Sequence, residues 1–316
     1  MIVALALIAG SLTVAWLMDH LLRRADLSRR DPALLIVSRL TTMAAVLAGI
    51  TSGLLLLILP SHGPFLSLVS AAHECWIAVQ HGAPLEAENI IGASGLVFVF
   101  AATIRVVVVT ARRARARVHE RSRQLGTLRM VSRSSPGSPS TLWLPHDRPL
   151  AFCLPGRKGV VVATDGLTRH LPEAAVSAVL EHEHAHLRGR HHLVVATADL
   201  LRYALPFLAL FRHAPAAIRQ LVEISADVAA VRRHGSAAVH TALLAVSRHG
   251  APPTALAMGE EAIDLRLTRL RHDCPPPRRV YRTVSCGLAT LSAAVLPFAT
   301  GTALLFGAMI VLCIAR

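Results

Sequence analysis

Two histidines and a glutamate set the chemistry of this chain. They lie within Val179–His192, which contains His182-Glu183-x-x-His186. On a helix, residues four apart share a face, so both imidazoles can reach one metal ion. Glu183 sits beside them, where a carboxylate can take a proton from water at that metal. The chemistry such a pattern could do is peptide hydrolysis, with Zn²⁺ as the expected cofactor and Glu183 as the expected general base. With 17 His in 316 residues, a chance HExxH is expected only about 0.03 times. The bland alternative is a His-rich surface helix. The flank argues against it, because Ala174, Ala175, Ala178, Val179 and Ala185 make a strong, mostly apolar helix suited to a buried site.

Catalytic zinc usually takes three protein ligands, so His182 and His186 need a partner. Two candidates compete. The preferred one is Glu223, in Glu223-Ile-Ser-Ala-Asp227. Asp227 lies one turn on, where it can hydrogen-bond the far nitrogen of a ligand histidine. The other is His192, because His182 through His192 also matches the HExxHxxGxxH signature of metzincins. Gly189 in that run can equally end a helix, and within the cytoplasmic part Met258 is the only methionine beyond the motif that could supply a Met-turn. The remaining histidines near the motif read as surface or structural by default. His184 points away from the ligand face, and His191 is a candidate partner for a ligand.

The rest of the chain must position these groups, and much of it is membrane. The sequence is 53% hydrophobic with a mean hydropathy of +0.51, too apolar for an ordinary soluble enzyme of this size. The net charge of +14 is almost wholly arginine, with Lys158 the only lysine. No basic stripe is interleaved with aromatics, so direct nucleic-acid binding is not expected. The five cysteines form no CxxC pair, which argues against a disulfide framework or a cysteine–zinc site.

Four segments reach the ~20 apolar residues that a bilayer crossing needs. They are about Met1–Leu22, Leu34–Leu59, Ile90–Thr110 and Val284–Ala315. Arginines follow the first and third and precede the fourth, whereas residues 61–88 carry no Lys or Arg. The positive-inside rule then puts both termini outside and residues 111–283 in the cytoplasm. The first segment has no small-residue cleavage site and reads as a retained anchor. The expected organisation is a three-span membrane region at 1–110, a cytoplasmic zinc peptidase domain at 111–283 and a fourth span at 284–316.

Within the cytoplasmic part, a basic helix leads into a Ser/Pro/Gly loop at 132–140. Leu150–Cys153 and Gly159–Ala163 read as short strands joined by a Leu154-Pro-Gly-Arg157 turn. Pro172-Glu173 opens the zinc helix. Residues 193–211 are apolar, interrupted at Pro206, and read as a core or membrane-adjacent helix rather than a fifth span. Residues 215–249 read as a helix pair, and 251–253 and 275–277 as Pro-rich linkers.

These segments resemble the BlaR/MecR-type membrane metallopeptidases. The likeness is carried by Ala151-Phe-Cys-Leu-Pro-Gly156, Val160–Leu167, Ala178–His186 and Glu223–Asp227, together with the three-before, one-after order of spans. It implies a mainly α, polytopic membrane protein with four transmembrane helices and a cytoplasmic gluzincin-type α+β zinc peptidase domain. It also implies that His182, His186 and Glu223 bind zinc, that Glu183 is the base and that Asp227 orients a ligand. The partner it implies, besides the lipid bilayer, is a winged-helix repressor of the BlaI/MecI type, cleaved in signal transduction. The chain stops at Arg316 without the penicillin-binding domain of the known sensors, so direct covalent β-lactam sensing is not expected. Ste24/HtpX-type peptidases share the motifs and are the rival family. A non-catalytic, zinc-stabilised receptor is the rival of another class.

Overall fold

The computed structural model describes residues 2–27, 30–58, 133–135, 141–156, 159–250, 256–271 and 279–314, with scattered helical residues between 97 and 123. Three long helices form an apolar bundle: α1 (Ile2–Arg24), α2 (Pro32–Ile58) and, at the end of the chain, a 36-residue helix over Arg279–Ile314. Within them, Val3–Arg24, Pro32–Leu56 and Val280–Gly307 are long and apolar enough to cross a membrane. They match the first, second and last expected spans. The expected span at about Ile90–Thr110 and the loop 61–88 lie largely outside the described residues.

Local chemistry sets the helix ends. Arg23 and Arg24 close α1, where cations complement the helix dipole. Pro32 opens α2, and the Asp31 carboxylate accepts the Ala33 N–H at 3.1 Å, which caps the turn. Small residues let the bundle close. A Cβ on Gly10 would meet the Gly301 backbone at 2.5 Å, and Gly49 has Ser11 directly against it.

The part of the chain between these helices begins, among the described residues, with a four-stranded sheet of β1 (Arg133–Ser135), β2 (Thr141–Leu144), β3 (Ala151–Leu154) and β4 (Val160–Thr164), in the order β1-β2-β4-β3. β4 is the central strand. It runs parallel to β2 and antiparallel to β3, and all five of its residues are buried. Two strands therefore fall where the sequence suggested them, each displaced by about a residue. β1 is a correction, because it lies inside the expected 132–140 loop, and β2 was not anticipated. A three-residue strand of Arg-Ser-Ser has no apolar alternation to announce it.

Helices follow: α3 (Asp165–His170), α4 (Glu173–Arg188), α5 (His191–Ala204), α6 (Ala209–His234), α7 (Ser236–Gly250), α8 (Leu256–Arg271) and α9, the Arg279–Ile314 helix already described. α4 buries Ala175, Ala178 and Ala185, and these small side chains let α6 lie close against it. α5 has 14 residues, too few to cross a bilayer. Its Ala198, with Leu205, Leu210, Phe211, Ala214 and Ile218, joins a core shared with Val14, Leu35, Met43 and Val46 of α1 and α2. The 193–211 stretch is thus core packed on α1 and α2, but it is not one helix: α5 ends at Ala204 and α6 begins at Ala209, on either side of Pro206. The expected helix pair at 215–249 is α6 and α7, with α6 starting earlier. The Pro-rich linkers at 251–253 and 275–277 lie outside the described residues, and α8 between them was not foreseen.

Candidate metal centre

α4 and α6 supply the site, because their close approach brings one face of each together. His182 and His186 are one turn apart on α4, and Glu223 faces them from α6. The His182 Nε2–His186 Nε2 distance is 3.1 Å, His182 Nε2–Glu223 Oε2 is 3.3 Å and His186 Nε2–Glu223 Oε1 is 3.5 Å. Ligands about 2.1 Å from a tetrahedral metal stand about 3.4 Å from one another. The triangle fits a zinc ion with a fourth position open. Among the described residues, these three form the cluster able to hold a metal, with all donor atoms within 4.8 Å.

Hydrogen bonds behind the ligands fix their tautomers. His182 Nδ1 donates to Asp227 Oδ1 at 2.9 Å, which leaves its Nε2 lone pair free for the metal. His186 Nδ1 lies 3.0 Å from His191 Nδ1, so the same arrangement repeats with a neutral imidazole as acceptor. The two rings meet edge to face with centroids 4.8 Å apart. Gly189 makes this possible, because a Cβ there would lie 2.5 Å from the His191 ring. Its φ is −75°, so it serves as close-approach space and not as a left-handed turn; Arg190 takes that role with φ 48°. The glycine of the metzincin-like run thus has a different explanation. His192 lines the neighbouring cleft but is not part of the donor triangle.

The electrostatics suit a divalent cation. Burial pulls the His182 imidazole down, but hydrogen bonds to Asp227 and Glu223 outweigh it and lift it to about 9. Burial opposes the Glu223 charge, yet the hydrogen bond and charge of His182, helped by His186 and Arg266, hold it at about 2. Asp227 is held at about 2 in the same way, by His182 and by Arg266. His186 goes the other way: burial drops it to about 4, so it is neutral at physiological pH. Two carboxylates stay charged, one ligand stays neutral, and a proton on His182 balances the metal-free site.

Glu183 is half-buried on α4 and faces Cys153 of β3. Burial raises its carboxyl above the usual range, His182 offsets part of that, and the Glu223 charge adds to it. A carboxyl poised upward suits a base that must give its proton back. Cys153 is pushed up to about 12, by burial first and then by Glu183, so it is a neutral thiol and no thiolate ligand. A cleft of about 630 Å³ opens beside the site, lined by Cys153, His186, Val195, Ala216, Glu223 and Leu265.

Two residues extend what the motif suggested. His191 was only a candidate, and the structure makes it the partner of His186. Arg266 was not anticipated at all. Its Nε and Nη2 donate to Asp227 at 2.6 and 2.8 Å, and its Nη1 lies 3.6 Å from Glu223 Oε2. His184 stays outside the triangle, near the charges of Glu181, Arg188 and Arg233.

Searches of curated proteins and of solved structures returned no match. Against known families, residues 113–250, which contain His182, Glu183, His186, Glu223 and Asp227, match the model of Peptidase family M48. Across the segment that builds the metal centre the chain is thus similar to Peptidase family M48, and three of its described helices outside that segment are long and apolar enough to cross a membrane.

Proposed function

We propose that the protein is a membrane-embedded zinc endopeptidase that cuts a protein at the cytoplasmic face. The observation that carries this reading is the donor triangle with a base beside it and a cleft in front of it. When bound, zinc would supply Lewis-acid chemistry, polarising the scissile carbonyl and acidifying water. Glu183 takes the proton from the attacking water and later delivers it to the leaving amine. Asp227 and His191 hold the two imidazoles so that both present Nε2. β3 pairs only with β4 among the described residues, which leaves its other edge toward the cleft. An extended peptide laid along that edge brings its backbone past Glu183.

The leading substrate is a winged-helix repressor of the BlaI/MecI type, with proteolysis as the signal. Support comes from the resemblance of the local motifs and from the two apolar helices before the peptidase part and the one after it. A Ste24/HtpX-like quality-control protease is the second reading, and the family match at 113–250 favours it equally. The test is full-length protein in liposomes, offered purified repressor and unfolded casein, with Glu183→Gln as control. Cleavage of repressor at a discrete bond supports the signalling peptidase. Cleavage of casein alone supports quality control. If neither is cut, and Glu183→Gln cells signal like wild type while His182→Ala cells do not, the protein is a zinc-stabilised receptor.

A further inference from the structure

α8 carries two arginines, three residues apart, that reach two different parts of the molecule. Arg266 engages the metal centre with all three guanidinium nitrogens: Nε and Nη2 grip Asp227, and Nη1 stands over Glu223. Arg269 Nη1 donates to the backbone carbonyls of Leu27 at 2.7 Å and Arg30 at 2.8 Å. Those carbonyls belong to the connection between the membrane helices α1 and α2. Leu270 packs against the cluster formed by Ala178 of α4, Ala230 of α6 and Val239 of α7. Both arginines lie beyond residues 113–250, the stretch that matches the peptidase family.

We propose that α8 is a strap between the membrane helices and the metal centre. Arg266 is a positioning residue for the ligands, and Arg269 makes its placement depend on the α1–α2 connection. The proposal rests on His182, His186 and Glu223 being the metal ligands. A fork of two N–H donors fixes the plane of the Asp227 carboxylate, and Asp227 fixes the His182 ring. At 3.6 Å the third nitrogen neutralises Glu223 without taking its lone pairs, which stay available to a metal. One turn on, Arg269 ties the same rigid helix to two carbonyls that move with α1 and α2. A shift of either membrane helix therefore displaces the Arg266 fork from Asp227. The site gains a route by which a membrane-side stimulus sets its affinity for metal.

The test uses the full chain in lipid nanodiscs, with Zn²⁺ affinity measured against a chromophoric chelator and ligand geometry read from the Co²⁺ d–d spectrum. Arg266→Ala is expected to weaken metal binding about 10- to 100-fold and to alter the spectrum, as loss of outer partners does. Arg266→Lys, which cannot fork, is expected to restore only part of the affinity. Arg269→Ala touches no ligand, yet is expected to weaken binding about 3- to 10-fold with the same change in spectrum. Thermal unfolding of the metal-free variants separates a folding defect from a positioning one. If Glu223→Gln loses metal while both arginine variants bind like wild type, the strap is overturned and the ligand set stands. If Glu223→Gln itself binds like wild type, the ligand set falls and the strap with it.

Discussion

The two halves of α6 are held by opposite physics. Its first half places Leu210, Phe211, Ala214 and Ile218, all fully buried, into the core shared with α1 and α2. Its second half places Glu223 and Asp227 into a network of directed hydrogen bonds. Apolar burial is non-directional and scales with area, so the first half resists shape-conserving change. The polar half depends on angles and on complete pairing, so one missing partner is costly. One helix thus joins a tolerant anchor to an intolerant site. Polar contacts in the anchor half tie the helix to its neighbours: His213 Nδ1 lies 3.2 Å from Asp19 Oδ1, which fixes where along α1 the helix sits, and Arg219 Nη2 donates to the Asp199 carboxylate of α5 at 2.8 and 2.9 Å.

That contrast can be broken in ranked steps. The largest effect belongs to Glu183→Gln, expected to lower peptide hydrolysis about 10²- to 10⁴-fold with zinc content unchanged; stoichiometric metal analysis beside a cleavage assay checks it. Next is Phe211→Ala, expected to destabilise the protein by about 3–5 kcal/mol while metal affinity of the folded fraction holds. Should Phe211→Ala alter the Co²⁺ spectrum, the two halves are coupled and the contrast fails.

The third step is a pH titration of zinc affinity. His182 is protonated below about 9 in the metal-free site, and metal must displace that proton. Affinity should therefore rise about tenfold per pH unit from 6.5 to 8.5 and level off above 9. His186, at about 4, adds a second proton only in acid. Asp227→Asn is expected to cost about 10- to 100-fold in affinity and to move the levelling-off point to lower pH, because the carboxylate that lifts His182 is gone. The smallest expected effect is Ile218→Val, about 0.5–1.5 kcal/mol in thermal unfolding with no change at the metal.

The site was legible in the sequence where it obeys helical spacing. His182 and His186 are four apart, and so are Glu223 and Asp227, so each pair announces a shared face before any fold is known. His191 was half-legible: it sits five residues after His186, across a helix end, and reaches its partner only because Gly189 leaves room. Arg266 carried no local signal. It comes 39 residues after Asp227 in a chain rich in arginine, and only the fold singles it out. The long apolar helices α1, α2 and α9 were legible because length and apolarity alone mark segments able to cross a bilayer, whereas the expected span at about Ile90–Thr110 lies largely outside the described residues. β1 and β2 were not, because strands of three and four residues draw their stability from ladder partners distant in sequence.

Under the proposed reading, the outer edge of β3, which no strand covers among the described residues, carries a consequence for selectivity. Main-chain donors and acceptors read the backbone and are nearly blind to side chains. A helix or a paired strand cannot offer that backbone, since its own N–H and C=O groups are already spent. A protease that receives its substrate along a strand edge therefore discriminates first by local unfolding and only second by residue identity. Its targets are segments that open by themselves, such as hinges, linkers and frayed ends, and what surrounds the scissile bond matters less than how often that bond comes loose.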